Sequence, residues 1–184
     1  MNSGQEIVIN ADWRGYGWAN FTLSAGGNSV ELADISYLCN PLGDLVRAAV
    51  DCALGRGHAR VILQQEPGAF RICVDKYQYD LDEPVESEHG SVWAYRTQRL
   101  RVYDLGRGEL YPTKDAAGLI LFEYESRDLD AFSSAVLAFA DAIVAEHGVK
   151  GWRTLWDHDT VAFPERGVAA LRAALATTDE EVEW

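Results

Sequence analysis

In the first third of the chain apolar side chains recur at every second position, and that alternation limits the fold more than any other feature. Period two puts successive side chains on opposite faces of a pleated strand. Ile7 and Ile9 open the pattern. Ala19, Phe21 and Leu23 then share one face, with Asn20, Thr22 and Ser24 on the other. Gly26-Gly27-Asn28 supplies the positive φ angles of a tight reversal, and Val30 and Leu32 continue on a returning strand. A half-buried antiparallel hairpin follows.

Further along, the period changes to that of a helix. Asn40 is expected to cap a free backbone N–H, and Pro41 loses no hydrogen bond at the first helical position. Leu42, Leu45, Val46, Ala49 and Ala53 form one stripe, and Gly55 ends it. Val61 and Leu63, then Glu66-Pro67-Gly68-Ala69, then Phe70, Ile72 and Val74 predict a second hairpin with a type II turn. Residues 91–104 read as one long strand or two short ones. Leu119 to Tyr124, nearly all apolar, is expected to be central. Asp128 or Asp130 should cap a second helix carrying Leu129, Phe132, Val136, Phe139 and Ile143, with Gly148 stopping it after His147. Phe163-Pro164-Glu165 starts a third helix striped by Val168, Leu171 and Leu175.

These elements predict an α+β fold, a single antiparallel sheet of about six to eight strands with three amphipathic helices packed on one face. The 184 residues are read as one domain, with an acidic, frayed tail over 178–184. With 48% apolar residues the chain has enough material for a core without a disulfide or metal. Cys39, Cys52 and Cys73 are an odd number without C-x-x-C spacing, so reduced cytoplasmic thiols are expected. The opening residues lack a basic segment followed by an apolar run, and neither export nor membrane anchoring is expected. Arg outnumbers Lys 13 to 3, a composition in keeping with a GC-rich bacterial genome.

Charge narrows the function classes. A formal charge of −13 opposes general affinity for nucleic acid or an anionic membrane and favours a basic protein partner. Much of the excess lies in two places. Asp75, Asp80, Asp82, Glu83, Glu86 and Glu88 stand against Lys76, and Asp179, Glu180, Glu181 and Glu183 stand near the C-terminus. The first cluster, read as a loop, includes Tyr77 and Tyr79. Tyr77, Tyr79, Asp80, Asp82, Glu83, Glu86 and Glu88 are therefore the candidate partner-binding residues: carboxylates to steer a cation and tyrosines to anchor it.

Catalytic signatures are weak beside that. No G-x-S-x-G elbow, phosphate-binding G-x-x-x-x-G-K or G-x-G-x-x-G motif occurs, and the four histidines have no zinc spacing. Asp157-His158-Asp159 reads as a turn before the third helix, since three adjacent side chains do not converge on one centre. No cofactor, metal or catalytic residue is assigned. Arg96, Arg99 and Arg101 among Trp93, Tyr95 and Tyr103 resemble a base-stacking mixture, but pairing with cross-strand acids explains them better. Trp152 and Trp156, four apart, read as core.

The expectation is a non-enzymatic acidic binding protein, of the kind by which a bacterial immunity protein covers the cationic site of a nuclease toxin. Two alternatives stand beside it: a small enzyme assembled only in the fold, with Asp157, His158 and Glu123 as participants, and a homodimeric interaction module joined through sheet edges or exposed aromatics.

Overall fold

A computed structural model describes residues 7–87, 90–106, 118–156 and 161–180. Seven strands form one antiparallel sheet in sequence order, each paired with its predecessor. They are β1 (Val8–Gly15), β2 (Trp18–Ala25), β3 (Asn28–Ile35), β4 (His58–Gln65), β5 (Gly68–Ser87), β6 (Gly90–Asp104) and β7 (Leu119–Ser126). Helix α1 (Pro41–Ala53) lies between β3 and β4, and α2 (Ala131–Trp156) and α3 (Glu165–Glu180) follow the sheet. This is the expected α+β architecture.

The alternation does what the sequence requires of it. Ala19, Phe21, Leu23 and Ala25 are buried on β2 while Asn20, Thr22 and Ser24 are only partly so. Ile9 on β1, Leu32 on β3, Val61 and Leu63 on β4, and Phe70, Ile72 and Val74 on β5 extend the same apolar face. Between β3 and β4 the ladder shrinks to Ile35↔Gln65, so a three-stranded and a four-stranded meander meet at almost a point. Helix α1 packs on β4, α2 on β1, and α3 on both helices. At Gly167 of α3 an added Cβ would come within 2.8 Å of Val46 Cγ1 of α1, a close approach that a glycine permits.

Helix α1 begins as its sequence dictates: Asn40 Oδ1 accepts from Gly43 N at 3.0 Å, and Leu42, Leu45, Val46, Ala49 and Cys52 are buried. Phe132, Val136, Phe139 and Ile143 of α2 are likewise in the core. At the start of that helix the side-chain amide of Gln98, 1% exposed, accepts from Phe132 N and donates to the Leu129 carbonyl. The register of β6 is thereby pinned to α2.

Four expectations change. Gly148 (φ 69°, ψ 164°) breaks α2 rather than ending it, and helix resumes over 149–156. That continuation carries Trp152 and Trp156, both fully buried. The second hairpin pairs Gln65 with Gly68, which puts Glu66 and cis-Pro67 in the turn, one residue earlier than the type II reading. Strand β7 is an edge strand, not a central one. In a meander the last strand has a predecessor to pair with and no successor, however apolar it is; Phe122 reaches the core while Leu119, Ile120 and Leu121 stay 68, 48 and 38% exposed. Finally, the acidic segment is strand rather than loop, and 91–104 belongs to one continuous strand.

An aromatic plug closes the core at the first meander. Trp152 and Trp156 stack at 6.0 Å, and Trp13 meets both edge-on at 5.5 and 6.1 Å. Phe21, Phe139 and Phe163 complete it. Trp156 Nε1 donates to the Cys39 carbonyl at 3.2 Å, whereas Trp152 Nε1 has no partner. Trp152→Ala should therefore destabilise the fold by about 3–5 kcal/mol in urea unfolding. Trp156→Phe should cost more than Trp152→Phe by about 1 kcal/mol, because only the former loses a hydrogen bond.

Candidate functional site

Strands β5 and β6 are longer than the sheet that holds them. Pairing with β4 ends at His58↔Asp75, and pairing with β7 ends at Gln98↔Ser126. Beyond those rows, among the described residues, 77–87 and 90–97 pair only with each other. At ~3.3 Å per residue the shorter strand, 90–97, limits this two-stranded arm to about 25 Å, and β5 takes up its extra residues in an irregularity in register between Asp80 and Val85. Carboxylates are poor strand formers, which is why the segment resembles a loop in sequence. A strand held by a partner strand needs no apolar alternation to form.

The arm is rooted in a polar network on the sheet face away from the helices. Rows Cys73↔Arg101↔Glu123 and Asp75↔Arg99↔Glu125 lie side by side there. Arg101 Nη2 donates to Asp75 Oδ2 at 2.6 Å and more weakly to Tyr77 Oη at 3.4 Å. Arg99 donates to Tyr79 Oη and to Glu125 Oε2 at 3.3 Å, and its Nε lies 3.6 Å from Glu123 Oε1. Guanidinium groups also stack on rings: Arg99 over Tyr77 at 4.8 Å, and Arg71 over Tyr103 at 4.8 Å. Burial pushes the Tyr103 hydroxyl pKa up, with Arg101 opposing the shift. On the helix side Lys76 Nζ donates to the Cys52 carbonyl at 2.8 Å and lies 3.7 Å from Asp130.

This network divides the sequence candidates. Tyr77 and Tyr79 sit at the root with their hydroxyls engaged by Arg101 and Arg99. The expectation that cross-strand acids hold the arginines is met for Arg99 and Arg101, and Asp75 is thereby neutralised within the chain. Asp80 and Glu83 are different: both are exposed on the arm. Asp80 Oδ1 accepts from the Gln78 amide at 3.3 Å, and among the described residues no cation reaches either carboxylate. The side chains of Asp82 and Glu86, and Glu88 itself, lie outside the described residues. The arginine–tyrosine network was not foreseen as a unit, although one signal was present: Arg99, Arg101 and Tyr103 share a parity on one strand, as do Asp75, Tyr77 and Tyr79 on the next.

Other chemistry is sparse. Asp157-His158-Asp159 lies outside the described residues, and Glu123 faces Arg99. Among the described residues no three His, Cys, Asp or Glu side chains are grouped to share a metal. An apolar groove of about 240 Å³ runs between β1 and α2, past Ile9, Trp13, Ala138, Phe139 and Ala142, with Glu146 and His147 at its lining. The three cysteines are free. Desolvation raises the pKa of all three, Cys39 to about 11 and Cys52 to about 12. No protein-family model, curated protein or solved structure matches the chain.

Two outcomes follow from these groups. Arg101→Gln should destabilise the protein by roughly 1.5–3 kcal/mol in urea, because a mostly buried carboxylate loses its charged donor. The double variant with Asp75→Asn should recover part of that loss. For the thiols, the folded pKa lies above the usual 9.0, so their contribution to stability is complete below about pH 9 and declines as pH rises toward 12. The urea midpoint should fall across that window, and at pH 8 a disulfide-exchange reagent should label the thiols far faster in the unfolded chain than in the native one.

Proposed function

We propose that the chain is a non-enzymatic acidic binding protein of the immunity type, which neutralises a basic protein, such as a nuclease toxin with a cationic active-site surface, by presenting the β5–β6 arm to it. The supporting observation is the position of Asp80 and Glu83: exposed on a projecting ribbon and past the arginines that neutralise its root. By sequence the arm also carries Asp82, Glu86 and Glu88, against Lys76 and Arg96 alone. Lys76 is directed inward, at the Cys52 carbonyl and Asp130.

Such an arrangement favours capture. A chain of charge −13 attracts a cationic surface at long range, and a protruding anionic ribbon concentrates that field where contact is made. The root holds the ribbon in place before binding, so less ordering entropy is lost on association. Cytoplasmic encounter fits a protein with three free thiols.

The test is retention of a partner from the native host by the tagged chain over increasing salt. A basic protein should be held at 0.05 M NaCl and released by 0.5 M, since the Debye length falls from roughly 14 to 4 Å over that range. Replacing Asp80, Asp82, Glu83 and Glu86 by Ser should cut its retention at least about tenfold without lowering the urea midpoint. Equal retention by that variant, or retention indifferent to salt, overturns the proposal.

A further inference from the structure

Strand β7 ends the sheet with a side on which, among the described residues, no strand pairs. Alternate residues of an antiparallel strand direct their N–H and C=O groups away from the paired neighbour, so about half of the backbone groups of β7 face outward. Native sheets usually blunt such an edge with proline, a bulge or charge, and β7 has the last two in part: Leu121 is an extra residue between the pairs Tyr103↔Ile120 and Val102↔Phe122, and two glutamates follow it. Here the first half of the strand is Leu119-Ile120-Leu121, 68, 48 and 38% exposed. The second half carries Glu123 and Glu125, whose side chains are 48 and 38% exposed and which share the single guanidinium of Arg99 at 3.6 and 3.3 Å. Two carboxylates on one cation leave one negative charge beside an open ladder.

We infer that the free edge of β7 is a strand-addition site for an extended segment of a protein partner, with basic residues opposite Glu123 and Glu125 and apolar residues over Leu119, Ile120 and Leu121. Main-chain hydrogen bonds would supply affinity, and the alternating side chains would supply selectivity. Charge selects this occupant over a second copy of the chain, because self-pairing sets one body of charge −13 against another. The site is separate from the exposed acids of the arm and stands whether or not the arm has the role proposed above.

The probe is the blocked peptide Lys-Val-Lys-Val-Leu-Val, which in antiparallel register sets its lysines opposite Glu125 and Glu123. Titration calorimetry of the full chain should show it binding at least about tenfold tighter than Glu-Val-Glu-Val-Leu-Val. Amide hydrogen exchange should slow along 119–126. Glu125→Gln, a conservative change, should weaken binding about threefold, while the chain with Asp80→Ser and Glu83→Ser should bind unchanged, which separates this site from the arm. Equal binding by a peptide N-methylated at alternate residues would reduce the effect to charge attraction and overturn the inference. Protection confined to the arm would overturn it too. Sedimentation showing a dimer abolished by Leu121→Lys would overturn it in favour of a second copy.

Discussion

Among the described residues helices cover one face of the sheet, and the rest of the structure follows from how each face answers that asymmetry. The covered face is apolar by alternation, from Ile9 and Phe21 through Leu63, Ile72 and Val102 to Phe122. Among the described residues the opposite face of β5–β7 has no second apolar layer from a helix. Its residues cover one another instead: arginines lie over tyrosine rings and reach carboxylates in neighbouring strands. Arg71, Cys73 and Tyr103, each 3% exposed, show that such a face can still be dry in places. A charged group kept from water there must meet a compensating partner, which explains the pairing of opposite charges along successive rows.

That polar face also decides where the acidic surplus acts. Close to the sheet, Asp75, Glu123 and Glu125 meet Arg99 or Arg101, and all but one of their three charges are cancelled. Farther out on the arm, Asp80 and Glu83 have no such counterpart among the described residues. The same two strands thus change character along their length, from a self-satisfied lattice to an anionic projection. The premise that the acids form a loop that a partner reads gives way to a narrower one, a ribbon on which Asp80 and Glu83 are the described acids without a cation.

Much of the architecture was legible because the signals were local. The Asn40-Pro41 start, the stripe of α1 and the alternation of β2 each depend on side chains within a few residues of one another. Losses came where the answer depends on distant partners. The run Leu119 to Phe122 looks like a central strand, yet edge or centre is settled by how many strands the chain brings alongside it. The arm was missed for the reverse reason, since acidic composition masks a strand held by its twin rather than by burial. Gly148 was correctly seen as a helix breaker, but the resumption after it rests on Trp152 and Trp156 meeting Trp13, more than a hundred residues earlier. The candidate acids were readable as a cluster, whereas their division by Arg99 and Arg101 requires the strand register.

Gln98 ties these parts together. It is the last β6 residue paired with β7, it faces Lys76 where the arm begins, and its amide serves both Leu129 and Phe132. A slip of one residue would turn that amide outward and strip two buried main-chain groups of their companion. The alignment of the arm is thus set by a peg at the mouth of α2, so that Asp80 and Glu83 inherit their place from the interior of the molecule.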